Sequence, residues 1–98
     1  MEEFDQKTVA HLRSMARGGA TASQMLRHVL RAFAPAEPHK IALIRLMRST
    51  FALSLSEAKP IGGWYKPDEG ELSDSQLDAF LDPDIRRHQR EWDQARAG

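Results

Sequence analysis

Cysteine is absent from the 98 residues, which excludes disulfides, thiolate metal sites and cysteine nucleophiles together. The four histidines, His11, His28, His39 and His88, fall in no ligand spacing such as His-x3-His, so no metal or other cofactor is expected. Long apolar runs are missing too. The longest, Ile41 to Ile44, has four residues, against about 20 for a membrane-crossing helix. The start, Met1-Glu2-Glu3-Phe4-Asp5, is acidic where a secretion signal is basic and then apolar. A cytoplasmic chain that enters no membrane is the expectation. Net charge is lacking as well, 14 Lys and Arg standing against 14 Asp and Glu, so the field that announces a nucleic-acid binder is not present.

Catalytic signatures are equally thin. Gly18-Gly19 and Gly62-Gly63 match neither the Walker nor the dinucleotide phosphate pattern. No Gly-x-Ser-x-Gly turn presents a nucleophile. The acids Asp68, Glu69, Glu71, Asp74 and Asp78 gather around a helix start, without the alternation or closing glutamate of a calcium loop. The chain therefore does not read as an enzyme.

What is present is helix, in pieces sized for one domain spanning residues 1–98. Val9, Leu12 and Met15 recur at helical spacing over 4–17, and Gly18-Gly19 stops that helix. Thr21-Ala-Ser-Gln24 has the form of a capping box, and Leu26, Val29, Leu30 and Phe33 continue as one apolar stripe over 22–33. Pro38 suits a first helical position, after which Ile41, Leu43, Ile44, Leu46, Met47, Thr50 and Phe51 cover most of a third, central helix. Ser54-Leu-Ser-Glu57 caps a short fourth that Pro60 limits and Gly62-Gly63 ends. Ser73-Asp-Ser-Gln76 opens a fifth over 74–81, and Asp82 with Pro83 starts a last one, on which Ile85, His88 and Trp92 share a face as packing residues. No alternation of period two appears. The expected fold is all-α, five to six short helices around a central third one.

Between the fourth and fifth helices lies Gly62-Gly-Trp-Tyr-Lys-Pro67, followed by a turn over Pro67-Asp-Glu-Gly70. Trp64 suits filling a core left open by short helices, and Tyr65 suits a surface anchor. The zero net charge conceals an asymmetry. Residues 1–60 hold nine Lys or Arg against five Asp or Glu, and residues 61–98 hold five against nine, so the halves are +4 and −4. Arg13 and Arg17, Arg27 and Arg31, and Arg45 and Arg48 stand at spacings that put each pair on one helix strip. Such strips pair with acids of the same chain, hold phosphates, or meet an acidic partner.

Residues 40–59, in particular Lys40, Ile41, Ile44, Arg45, Arg48, Leu53, Leu55, Glu57, Ala58 and Lys59, resemble the helical hairpin of the C-terminal domain of the ribosomal stalk protein. In that family the hairpin contacts translation factors. The resemblance implies contact roles for Lys40, Arg45, Arg48, Glu57 and Lys59, with Leu53 and Leu55 tucked under the turn.

The function expected is protein binding without catalysis. The candidate surface combines Lys40, Arg45, Arg48, Glu57 and Lys59 with Tyr65 and the acidic turn at Asp68 and Glu69, facing an unidentified protein partner. A toxin-neutralising inhibitor, its acidic half masking a basic nuclease, is the alternative. A weak nucleic-acid-binding regulator is a further one, although a recognition helix over 56–61 would be short and carry one lysine. Surplus apolar surface near Leu46 and Met47 would serve a homodimer.

Overall fold

The computed structural model describes residues 4–93, and the acidic start at Met1 to Glu3 lies outside them. Seven helical segments follow one another: α1 (Gln6–Arg17), α2 (Ala22–Ala32), α3 (Lys40–Phe51), α4 (Leu55–Ala58), α5 (Pro60–Trp64), α6 (Asp74–Arg87) and α7 (Gln89–Trp92). The described residues contain no strand, and the fold is all-α. α4 and α5 meet at Lys59, itself helical at φ −53° and ψ −37°, so as one interrupted helix they bring the total to six.

Local chemistry sets most of the starts. Thr21 with Gln24, Ser54 with Glu57 and Ser73 with Gln76 all close reciprocal capping boxes, each side chain satisfying a backbone donor that the first turn leaves unpaired. Asp5 caps α1, its Oδ1 accepting from the Thr8 amide at 2.9 Å. That bond holds the Asp5 carboxyl below the usual carboxylate range. α3 starts two residues later than Pro38 suggests, because the His39 ring Nδ1 accepts from the Ile41 amide at 3.2 Å and takes the cap position.

α3 is the central element and packs against α1, α4, α5 and α7. Leu43, Met47 and Phe51 are fully buried along it, together with Leu12 of α1, Met25 and Leu26 of α2, Ile61 and Trp64 of α5, and Leu77 and Leu81 of α6. Leu46 is 3% exposed and Met47 0%, so the apolar surplus expected there for self-association is consumed by the core. The far end of α3 is held by Arg13 of α1, whose Nε donates to the Thr50 carbonyl at 2.9 Å and whose Nη2 donates to that of Ser49 at 3.4 Å. Ala52 then turns the chain in the left-handed region at φ 57°.

Thr50 itself is fully buried, and its Oγ1 has no hydrogen-bond partner. An unpaired buried hydroxyl costs about 1–3 kcal/mol. Thr50→Val, of nearly the same shape, is therefore expected to raise stability by about 1 kcal/mol, read as a higher urea midpoint at unchanged slope. An unchanged or lower midpoint would show that the hydroxyl is satisfied.

Two boundaries differ from the sequence reading. The fourth helix does not end at Gly62-Gly63: Pro60 at a first helical position restarts the chain, and α5 runs through both glycines because Ile61 and Trp64, three residues apart, bury on one side. Asp82 and Pro83 do not start a new helix either. α6 passes through Pro83, since Leu77, Leu81 and Ile85 form one buried stripe across it and tertiary packing outweighs the lost amide. The break falls instead at His88, after which α7 makes a single turn.

The segment after α5 is a turn without a hairpin. The Lys66 carbonyl accepts from the amides of Glu69 and Gly70, both at 2.9 Å, and Asp68 sits at φ 70°. The Leu72 amide donates to the Gly63 carbonyl at 3.1 Å, which lays the turn against α5.

Candidate interaction site

The −4 half of the chain folds onto the +4 half, and this determines which charges remain outward. Arg27 of α2 donates from Nε to Asp74 Oδ2 at 2.9 Å, and from Nη2 to Asp74 Oδ1 at 3.0 Å and to Asp68 at 3.1 Å. Its guanidinium also lies 5.9 Å from the centre of the Trp64 ring. The Arg27 bond holds Asp74 below the ordinary carboxylate range, with the Trp64 indole N–H adding to it. Arg17 donates to Asp93 at 2.6 Å.

Asp78 and Asp82 cap a helix that is not their own. At the start of α2, the Ala22 amide donates to Asp82 Oδ1 at 2.8 Å, while Ser23 donates to Asp78 through its amide at 2.8 Å and its hydroxyl at 2.9 Å. Two carboxylates one turn apart on α6 thus meet the amides and positive end of α2. Burial nevertheless raises the Asp82 carboxyl above its ordinary value. The sequence alone makes Asp82 the cap of its own helix; the Ala22 amide it accepts from lies 60 residues away, beyond the reach of any local signal.

With these acids engaged inside the fold, the outer strip of α3 stands out. Ile41, Arg45 and Arg48 follow at spacings of four and three and are all exposed, with Lys40 beside them. Ile41 is 45% exposed, although the sequence reading placed it among the core positions of this helix. The Arg48 Nε donates to the Leu53 carbonyl at 3.4 Å, which ties the strip to the turn that leads into α4. On that turn Leu53 is buried at 4%, whereas Leu55 is 50% exposed rather than tucked beneath it. Lys59, one turn beyond Leu55, is exposed as well. Lys40, Arg45 and Arg48 thus share the exposed strip of α3 with Ile41, and Leu55 and Lys59 are exposed on the α4 segment that follows it.

Glu57, the acid among the predicted contact residues of this hairpin, is directed to α6. It accepts from Arg87, and its two oxygens lie 3.1 Å from His88 Nε2. The Ser54 amide of the capping box and then His88 lower its carboxyl to about 2.

The remaining predicted residues belong to another neighbourhood. Tyr65 is half-buried and lines a cleft of about 280 Å³ with Leu30, Pro35, Glu37 and Pro67, where α2 passes into α3. Asp68 is paired to Arg27, and Glu69 is exposed at the turn tip. Trp64 fills the core at 0% exposure, its Nε1 donating to Asp74 at 2.8 Å. The structure therefore leaves Lys40, Arg45, Arg48 and Lys59 exposed on the α3–α4 hairpin, ties Asp68 to α2 through Arg27 and Tyr65 to it through the cleft shared with Leu30, and leaves Glu69 at the turn tip. A helical wheel carried the clue to Ile41, because its neighbours along the strip are arginines, and core residues do not share a strip with two arginines.

Among the described residues no group of three or more His, Asp or Glu is placed to hold a metal ion. The His11 and His28 rings lie 4.7 Å apart, tilted by 38°, beside a cleft of about 230 Å³. No helix among the described residues is long and apolar enough to cross a membrane. Comparison with known protein families, with characterised proteins and with solved structures yields no match.

Proposed function

We propose that this chain is a non-enzymatic protein-binding module acting in the cytoplasm, and that its contact face is the outer strip of α3 with the α4 turn. One observation carries the reading: Ile41 and Leu55, 45% and 50% exposed, stand on the same helical hairpin as the exposed cations Lys40, Arg45, Arg48 and Lys59. Protein interfaces combine exposed apolar side chains with charged ones, and arginine adds bidentate recognition of carboxylates. The complementary partner presents acidic groups together with apolar ones. The resemblance of residues 40–59 to the stalk-protein hairpin supports the same face, since it assigns contacts to the same four cations.

The inhibitor alternative rests on the acidic half, whose Asp68, Asp74, Asp78, Asp82 and Asp93 are bonded within the chain. No further observation favours it. The test is capture of partners by the purified protein and by a Lys40→Glu, Ile41→Asp, Arg48→Glu triple variant, read by quantitative mass spectrometry with and without nuclease. A nuclease-resistant protein should be retained by the native chain and reduced tenfold or more by the variant, since interface anchors contribute about 1–2 kcal/mol or more each. All three positions are exposed, so the melting temperature should stay within a few degrees. Equal capture by both chains removes this face, and capture lost with nuclease replaces a protein partner by nucleic acid.

A further inference from the structure

Both ring nitrogens of His88 face carboxylates. Nδ1 lies 2.8 Å from Glu91 Oε1 of α7, and Nε2 lies 3.1 Å from both oxygens of Glu57 of α4. A neutral imidazole carries one N–H, so either tautomer would turn a lone pair toward one of these carboxylates, whereas the imidazolium donates to both. His88 also occupies the joint between α6 and α7. Its amide donates to the Asp84 carbonyl at 3.1 Å, and its carbonyl accepts from the amides of Glu91 at 2.8 Å and Trp92 at 3.3 Å. One residue thus holds the helix break, the α4 contact and the single turn that carries Trp92.

We propose that His88 is a protonated clasp between α4 and α7, and that loss of its proton loosens the α7 turn and the seat of Trp92. The other charged groups at this joint are Arg87, which shares Glu57, and Asp84, which accepts from Arg87 at 2.8 Å. Arg87 keeps Glu57 compensated when His88 is neutral, but the Glu91 contact to His88 loses its charge. The bonds to Glu91 first and Glu57 second raise His88 above its ordinary value. A raised folded value means that the clasp is at full strength below pH of about 6.5 and is lost as the pH rises through the folded value. Trp92 has its own anchors, edge-on packing against Phe51 at 5.1 Å and an Nε1 bond to the Ile85 carbonyl at 2.8 Å. The core therefore persists while α7 opens more often.

The test is an NMR titration of the full chain between pH 5.5 and 9, following the His88 ring and the two indole N–H signals. His88 should titrate above 6.5, the Trp92 indole signal should move with the same midpoint, and the buried Trp64 signal should not. Protection of the Trp92 and Asp93 amides, corrected for intrinsic exchange, should fall at least threefold across that midpoint. Glu91→Gln, at a side chain 58% exposed, should lower the midpoint, and His88→Gln should make the Trp92 signal independent of pH. A His88 midpoint at or below 6.5, a Trp92 signal that stays flat through it, or an unchanged midpoint in Glu91→Gln would each overturn the clasp. The wild-type titration decides the matter even if a variant fails to fold.

Discussion

Trp64→Ala is expected to lower the unfolding free energy by about 3–5 kcal/mol, the range for truncating a fully buried large aromatic. Its ring is 0% exposed, on the short helix α5 that packs against α3 and α6. The indole also donates to Asp74 and lies under the Arg27 guanidinium. Truncation therefore opens a cavity and removes a donor from a carboxylate that anchors the start of α6. Each kcal/mol shifts the melting point of a domain this size by about 4–8 °C, so a fall of about 15 °C or more should be seen calorimetrically. Trp64→Phe keeps most of the ring and loses the N–H, and should cost about 1–2 kcal/mol. Alanine losing less than 1 kcal/mol would show that Trp64 is not in the core.

Gly70→Ala should follow closely, at about 3 kcal/mol, for a reason unrelated to turn propensity. A Cβ at Gly70 would stand 2.6 Å from the carbonyl oxygens of both Gly63 and Trp64 and 2.7 Å from the Trp64 carbonyl carbon. These are backbone atoms of α5 that cannot rotate aside, so the whole turn would have to lift, and overpacking of this kind costs about 1–3 kcal/mol and occasionally more. Gly62→Ala is the matched control. It lies within α5, a Cβ there meets nothing within 4 Å, and replacing a helical glycine should be neutral or stabilise by about 0.5–1 kcal/mol. Urea unfolding of the two variants side by side separates close approach from backbone entropy. A Gly70→Ala protein within 0.5 kcal/mol of the native chain would mean that the turn does not lie against α5.

The cationic half of the candidate face was legible in the residue order, its apolar half was not. Lys40, Arg45, Arg48 and Lys59 are exposed where helical spacing places them. Ile41 and Leu55 are aliphatic, and hydropathy assigns such residues to the core; only the arginines on the strip of Ile41 and the serines flanking Leu55 point the other way. Glu57 appeared as a contact residue through the resemblance of residues 40–59 to the stalk-protein hairpin, although the Ser54 capping box, three positions away, already engages it. Its partners Arg87 and His88 come from 30 and 31 residues away.

The residue order by itself determined the all-α class, the three capping boxes and the place of α3 as the most buried helix. Each of these is settled within a turn or two of chain, by a side chain reaching three residues along or by an apolar stripe wider than a single strip. Tertiary structure alone decided that α6 continues through Pro83 and that Asp78 and Asp82 cap α2. It also decided that His88 is held between two acids. The physical reason is the same in each case: the partner atoms belong to another helix, and a bond or a buried surface between distant segments exists only once packing has brought them together.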